Sequence, residues 1–259
     1  MKVTDITPLC RKQVDCLVVE IHPDRQAAGR ASGKATAAAL REVLQQKGAA
    51  RMIFAAAPSQ NECLETLVTE QGIDWRQVTA FHMDEYLGLS ENAPQKFAHY
   101  LNEHLFRHLP FAAVHFLQGP TPEQACLSYS QLLSESPIDI VCLGVGENGH
   151  IAFNDPPVAD FRDPNLVKIV DLELACRQQQ VNDGCFPKVD AVPEQAITLT
   201  IPAILSADCL ICTVPGTRKR TAVHRMLEGD VTTDCPASIL RGHPNCTMFV
   251  DLDCWGTLS

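Results

Sequence analysis

Apolar positions along this chain fall into short blocks that alternate between two spacings. Residues 51–57, 78–83, 138–145, 166–171, 196–201, 209–214 and 247–251 are apolar-rich runs bounded by turn residues, the pattern of largely buried strands. Between them, residues 24–46 are Ala-rich with Leu40, Val43 and Leu44 at helical spacing, and the stretch closes at Lys47-Gly48 as a helix end should. Residues 62–71, 94–109, 122–133 and 217–227 read as further helices, and 236–241 as a short helical piece. Pro58-Ser59-Gln60-Asn61 is a turn offering N-cap side chains to the helix after it. Strands alternate with helices and no linker or low-complexity break intervenes. The pattern predicts a single α/β domain spanning 1–259, with a mainly parallel sheet and helices on both of its faces.

Length and charge narrow the function. A chain of 259 residues can bury roughly three quarters of its unfolded surface. Net charge of −10 and a pI near 5.3 argue against nucleic acid or an anionic membrane as partner. An anionic small molecule would therefore need a local cationic pocket set against the global field. No apolar run approaches the ~18 residues of a membrane span. Met1-Lys2-Val3-Thr4-Asp5 has no signal-peptide pattern, so the cytoplasm is expected. The 12 cysteines are scattered, several within apolar runs. Cys209 and Cys212 have a metal-ligand spacing, but on a strand positions three apart face opposite ways, so they read as structural thiols.

Three loops that follow strands carry groups an enzyme could use. The run 138–145 stops at Gly144 and delivers His150 and Asp155, five residues apart, beside Asn148. Gly144 to Gly149 matches the dinucleotide fingerprint G-x-G-x-x-G, but that reading needs a helix opening at the last glycine, and Asn154-Asp155-Pro156-Pro157 forbids one. It is instead a glycine-floored loop at the carboxyl end of a strand, where open α/β sheets hold ligands. An imidazole there can shuttle protons, and a nearby carboxylate can orient its ring; the plainer reading makes His150 a hydrogen-bonded residue of a tight turn. The second loop is His82-Met83-Asp84-Glu85-Tyr86, whose adjacent carboxylates point to opposite sides, so at most one can face a common site. The alternative there is a capping Asp at a solvated turn. The third is Gly216-Thr217-Arg218-Lys219-Arg220, three cations at a helix N-terminus, where they oppose the dipole unless an anion joins them. Two softer features are the helix start at Ser59 and Asn61 and the stretch Ala175 to Gln180, which sets Arg177 among three glutamines.

Phe81-x-Met83-Asp84-Glu85-Tyr86 together with Gly144-x-Gly146-x-Asn148-Gly149-His150-Ile151-x-Phe153-Asn154-Asp155-Pro156 resembles the glucosamine-6-phosphate deaminase/isomerase family, and Gly216-Thr217-Arg218-Lys219 agrees with that family's later phosphate lysine. The resemblance covers about residues 30–251 and implies a Rossmann-like fold. It also implies aldose–ketose isomerisation of an amino-sugar 6-phosphate with loss of ammonia, without metal or other cofactor. By the same resemblance His150 and Asp155 assist ring opening, Asn148 orients the histidine or a substrate hydroxyl, and Asp84 moves the C2 proton to C1. Ser59, Asn61, Glu85, Gly149, Arg177 and Lys219 become expected substrate-binding residues. The implied partner is a small-molecule sugar phosphate; a homo-oligomer is compatible with the sequence.

The chain also departs from the family pattern. Asp155 stands where the family usually has Glu, so contact with the histidine is expected to need a water or a shifted backbone. Pro58-Ser59-Gln60-Asn61 replaces a Gly/Thr-rich phosphate loop, and the family arginine falls somewhere in 177–180, where only Arg177 is basic. These differences suggest a divergent branch whose preferred hexosamine epimer is open. The nearest rival, 6-phosphogluconolactonase, shares the fold, and Tyr86 and Ile151 speak against it. A non-catalytic sugar-phosphate sensor would be expected to have lost Asp84 or His150.

Overall fold

The structure is a computed structural model that describes residues 7–257; the segment 1–5, read above for a leader, lies outside them. A hairpin of β1 (Cys10–Val14) and β2 (Leu17–His22) opens the described chain. Helix α1 (Arg25–Lys47) follows, capped by the Asp24 carboxylate, which accepts from Ala27 N at 2.8 Å, and closed by Gly48 at φ 76°. Then come β3 (Ala50–Phe54), a 3-10 turn over Pro58–Gln60, α2 (Asn61–Thr69) and β4 (Val78–His82). Neither Ser59 nor Asn61 caps α2 through its side chain, contrary to the sequence reading, because the 3-10 turn already supplies the first bonds.

The chain continues through β5 (Asp84–Tyr86), α3 (Phe97–His104), β6 (Ala113–His115), α4 (Pro122–Ser134) and β7 (Ile140–Leu143). Next are β8 (Val167–Asp171), α5 (Leu174–Asn182), β9 (Gln195–Leu199) and α6 (Ile201–Leu205). The last elements are β10 (Cys209–Val214), α7 (Arg220–Glu228), β11 (Cys246–Asp251) and α8 (Leu252–Trp255). No helix among the described residues is long and apolar enough to cross a membrane.

Eight strands form one sheet in the order β1-β2-β11-β10-β7-β3-β4-β6, parallel throughout except for the opening hairpin. Period-two alternation divides its side chains between two cores. Ile53, Phe81, Val141, Cys212 and Met248 meet Tyr129 of α4, Ile204 of α6 and Met226 of α7 on one face. Phe54, Ala80, Ile140, Ile211 and Phe249 meet Leu40 of α1, Leu64 of α2 and Leu101 of α3 on the other. Truncating a fully buried member such as Phe54 to Ala would cost about 3–5 kcal/mol. Cys212 belongs to the first core while Cys209 packs against the second, so the two sulfurs do face apart, and both are free thiols.

The sequence pattern did not separate a second sheet from the first. Strands β5, β9 and β8 pair antiparallel, with Asp84 opposite Thr198 and Ile169 opposite Ile197. This small sheet lies against the glycine loop and fixes it: Phe153 N donates to Thr198 Oγ1 at 3.1 Å, and Asn154 Nδ2 donates to Leu199 O at 2.8 Å. In the large sheet the direction of winding reverses between β3 and β7, since β4 and β6 lie to one side and β10 and β11 to the other. Ligands of open α/β sheets sit beyond the strand ends at such a reversal.

Candidate active site

A cavity of about 290 Å³ opens at that reversal. Its walls come from the segment after β3 (Ser59), the β4–β5 junction (Met83, Asp84), the glycine loop (Gly144, Gly146, His150), α5 (Gln179, Gln180) and the loop after β10 (Gly216, Lys219). A second chamber of about 270 Å³ adjoins it and shares Pro58, Phe97, Gln180 and Asp183.

Asp84 is 7% exposed, and that exposure faces the cavity. Its carboxylate has no hydrogen-bond partner among the described residues. Burial pushes its pKa well above the ordinary carboxylate range, and the neighbouring Glu85 charge pushes the same way. The rings of Phe97 and Phe153, stacked with centroids 5.5 Å apart, supply apolar wall on this side. Glu85 points away, as strand alternation requires. It accepts from Tyr86 N and Phe97 N at 3.0 Å through Oε1 and from Ala98 N at 3.0 Å through Oε2, so it caps α3. Burial works against its charge, but His82 and those backbone donors outweigh it and hold its pKa below the usual value. The expectation that Glu85 touches substrate is therefore corrected: its oxygens are committed to backbone N–H groups.

His150 lies flat on Gly146. A Cβ placed on that glycine would stand 2.2 Å from the ring's Cε1 and 2.4 Å from Nε2. Nδ1 is 2.8 Å from Asn148 Oδ1 and 3.1 Å from Asp155 Oδ1. The Asn148 amide cannot turn over, because its Nδ2 donates to Asp155 Oδ1 at 2.9 Å and to Glu173 Oε2 at 3.0 Å. With oxygens on both sides, Nδ1 carries a proton. Nε2 of the neutral ring is then left as a proton acceptor with no partner among the described residues.

Asp155 reaches the histidine directly, so its shorter side chain needs neither the water nor the backbone shift expected from the sequence. Burial would raise the Asp155 pKa, but the imidazole, by charge and by hydrogen bond, and the Asn148 amide bring it below the ordinary value. Asn148 and Asp155 form the support behind the ring and are not cavity wall. Gly149, at φ 93°, packs against Cys235, where a Cβ would meet Sγ at 2.8 Å; it shapes the turn and does not line the cavity.

His150, Asp155 and Cys176 bring a nitrogen, an oxygen and a sulfur within 4.8 Å of one another, a possible donor set for a metal ion. The thiol fits that role poorly. Burial first, and Asp155 second, push its pKa well up, which disfavours the thiolate that a metal would need. Nδ1 is also already engaged.

The opposite end of the cavity is cationic. Gly216 N donates to both oxygens of Asp251, at 2.9 and 3.1 Å, which fixes the turn that presents Lys219. The Lys219 ammonium, on a residue 8% exposed, has no hydrogen-bond or ion-pair partner among the described residues; burial lowers its pKa, partly offset by Asp183 and Glu147. Its neighbours in the basic run are occupied. Arg218 donates to Asn182 O at 2.7 Å and lies 3.6 Å from Asp183 and 3.8 Å from Glu147, and Arg220 donates to Asp253 O at 2.7 Å. The conflict read from three cations at one helix start thus reduces to one unpaired ammonium. Ser59 lines the cavity, and Gln60 ties its loop to β10 by donating to Ser59 Oγ at 3.1 Å and Thr213 O at 3.2 Å.

Two further expectations are corrected here. Asn61 Oδ1 is taken by the Tyr100 hydroxyl and lies off the cavity. Arg177 does not line the cavity; it donates to Val189 O and Val192 O at 3.0 and 3.1 Å, pinning the following loop. The same helix turns Gln179 and Gln180 inward. Gln179 Oε1 accepts from Glu147 N at 2.7 Å, whereas the Gln180 amide, on a residue 8% exposed, faces both chambers with no partner among the described residues. The sequence had flagged 175–180, but Arg177 and Gln180 lie three apart on α5 and so share a side of the helix; period alone does not tell which of them reaches the cavity. Arg25, in the cavity wall at the start of α1, carried no signal of its own.

The family model of glucosamine-6-phosphate isomerases/6-phosphogluconolactonase matches residues 23–249. A glucosamine-6-phosphate deaminase of Lactobacillus delbrueckii subsp. bulgaricus is 37% identical over 207 residues, 79% of this chain and 86% of that one. One from Streptococcus sanguinis is 35% identical over 221 residues, covering 85% and 91%. Among solved structures, a monomeric glucosamine-6-phosphate deaminase superposes with a TM-score of 0.82 at 28% identity, over 91% of this chain and 98% of the other. A 6-phosphogluconolactonase from Shewanella baltica, at TM-score 0.74 and 19% identity over 93% and 97%, shares the fold. With residues 23–249, the glycine loop among them, matched by the family model, the chain belongs to the glucosamine-6-phosphate isomerase/6-phosphogluconolactonase family.

Proposed function

We propose that this protein converts a hexosamine 6-phosphate, glucosamine 6-phosphate in the first instance, to the ketose 6-phosphate with release of ammonia. The observation that carries the reading is the pairing of two different proton-transfer groups on one cavity: a carboxylate without hydrogen-bond partners, Asp84, and an imidazole whose Nδ1 is fixed by Asn148 and Asp155. The curated relatives named above carry the deaminase name at 35–37% identity over most of this chain.

His150 Nε2 takes part in opening the pyranose, in which the C1 hydroxyl loses a proton and the ring oxygen gains one. Asn148 and Asp155 hold the ring for this and compensate its charge when it is protonated. The open aldehyde and the C2 ammonium together acidify the C2 proton. Asp84 removes it to give an enolamine and returns it to C1, leaving a ketose imine. Addition of water to C2 and loss of ammonia complete the balance: amino sugar phosphate plus water gives fructose 6-phosphate plus ammonia. A base in an apolar setting suits this step, since desolvation raises its affinity for the proton it must take. Lys219 and Ser59 hold the phosphate at the cationic end.

Incubating the purified protein with glucosamine 6-phosphate, galactosamine 6-phosphate and 6-phosphogluconolactone tests the reading. Ammonia and a matching ketose phosphate from either amino sugar support it and name the epimer. Hydrolysis of the lactone alone would replace it with a lactonase, and silence on all three would leave a sugar-phosphate-binding protein without this chemistry.

A further inference from the structure

On the proposed function the cavity holds a phosphate dianion inside an acidic protein, and its own wall includes the carboxylates of Asp84, Glu147, Asp183 and Asp253. Lys219 supplies one positive charge. A dianion held in a largely desolvated site needs more than one, because the cost of burying net charge is recovered only by pairing. Arg25 and Arg218 are the other cations in the wall. Arg218 is drawn outward: its side chain is 55% exposed, it donates to Asn182 O, and it is shared between Glu147 and Asp183.

Arg25, its side chain 41% exposed, differs in having one carboxylate partner, Glu62, where Arg218 has two. It is the first residue of α1, beyond the end of β2, and its guanidinium is clamped against the loop that bears Ser59. Nε donates to Glu62 Oε1 at 2.6 Å and Nη2 donates to Pro58 O. A guanidinium has five N–H groups in a rigid plane, so this clamp leaves both hydrogens of Nη1 and one of Nη2 uncommitted. Glu62 fixes one edge of the plane and leaves the remaining edge as the kind of fork that takes two phosphate oxygens. We propose that Arg25 is the second cation of the phosphate subsite, acting with Lys219 and the Ser59 hydroxyl, so that the first helix of the chain carries a substrate-binding residue. The inference rests on the deaminase reading for the identity of the sugar but not for the binding of phosphate.

The test uses inorganic phosphate as the probe, measured by titration calorimetry and by the rise in melting temperature with phosphate concentration. Wild type, Arg25→Gln, Arg25→Lys and Glu62→Gln are compared, with KM and kcat for the hexosamine 6-phosphate alongside. Arg25→Gln should weaken phosphate binding and raise KM by a factor of roughly 10 to 100, with kcat changed far less. Arg25→Lys, which keeps the charge and loses the fork, should fall between Arg25→Gln and wild type. Glu62→Gln separates binding from mere support of the fold: freed of its counter-ion, Arg25 should hold phosphate at least as tightly as in wild type. If Glu62→Gln weakens phosphate as much as Arg25→Gln does, or if Arg25→Gln binds within twofold of wild type, the proposal is overturned. A wild type that ignores phosphate overturns it as well. If phosphate binding depends on Arg25 while no amino sugar releases ammonia, the subsite stands and the deaminase reading falls.

Discussion

The two ends of the cavity are built by opposite means. At one end, where the proposed function puts proton transfer, Asp84 sits in a buried sheet and His150 rests on a glycine with Nδ1 fixed by two side chains, one of which is itself held by two carboxylates. At the cationic end, Arg25 begins α1, Ser59 lies in the 3-10 turn before α2 and Lys219 directly precedes α7; Arg25 and Ser59 are held by one or two bonds each, whereas Lys219 is presented by a turn that Gly216 fixes. Atoms that exchange protons must be placed to fractions of an ångström, whereas a phosphate is held by charge and forgives small displacements. Substitutions at the first end should therefore act on kcat, and at the second on KM.

Asp84→Asn is the largest expected effect. It should lower kcat by roughly two to four orders of magnitude with sugar-phosphate binding within a few-fold. It also carries a pH signature. The folded-state pKa of Asp84 is raised, so its contribution to stability is present below its unfolded value and lost as pH rises through the folded one. The asparagine protein should consequently melt higher than wild type at neutral and alkaline pH, and the gap should close in acid. Activity has the opposite sense: the base must be ionised, so turnover falls on the acid side at a pH above that of an ordinary aspartate.

Gly146→Ala comes next. The added methyl would occupy the space of the His150 ring, and displacing the ring by about 1 Å should cost kcat on the order of 10²-fold. A loss confined to KM would mean that the ring is not where the chemistry happens. Lys219→Ala tests the other end and should raise KM roughly 10- to 100-fold with kcat little changed. Should kcat fall in step instead, the contrast between the two ends is wrong.

The smallest effect sharpens the division within Asp84-Glu85. Glu85→Gln removes the like charge that helps to raise the Asp84 pKa, so the acid limb of the pH–rate profile should move to lower pH. KM should not change, because Glu85 caps α3 and does not line the cavity.

The same contrast governs what could be read from sequence. Asn148, His150 and Asp155 lie within eight residues on one loop, so their meeting was legible, as was the turn bearing Lys219. Arg25 was not, since nothing local distinguishes an arginine at a helix start from any other. Only the sheet order, which carries the ends of β2, β3 and β10 to one side, brings it to Ser59 and Lys219. Five of the eight strands of the large sheet, β3, β4, β7, β10 and β11, are legible because burial on both faces gives unbroken apolar runs. Both hairpin strands and β6 are not: Cys10–Val14 is an edge strand reading CRKQV, Glu20 interrupts the run in Leu17–His22, and Ala113–His115 is three residues long. Strands β8 and β9 were found but misassigned to the large sheet, because pairing partners leave no trace in a strand's own composition. On α5 the miss lies in the tertiary contacts: Arg177 and Gln180 are i, i+3 neighbours, but the carbonyls of Val189 and Val192 take the arginine and leave Gln180 in the cavity wall.

Strand β11 lies between β2 and β10, joining nearly the first described strand to nearly the last. During synthesis, β2 and β10 would each present a bare edge until β11 arrives, an arrangement that slows folding and leaves those edges open to other chains. The residue that ends β11, Asp251, is also the one that grips Gly216. Competence to bind phosphate should thus appear only in the last phase of refolding, together with closure of the sheet, and ligand added during a refolding experiment would report that final step.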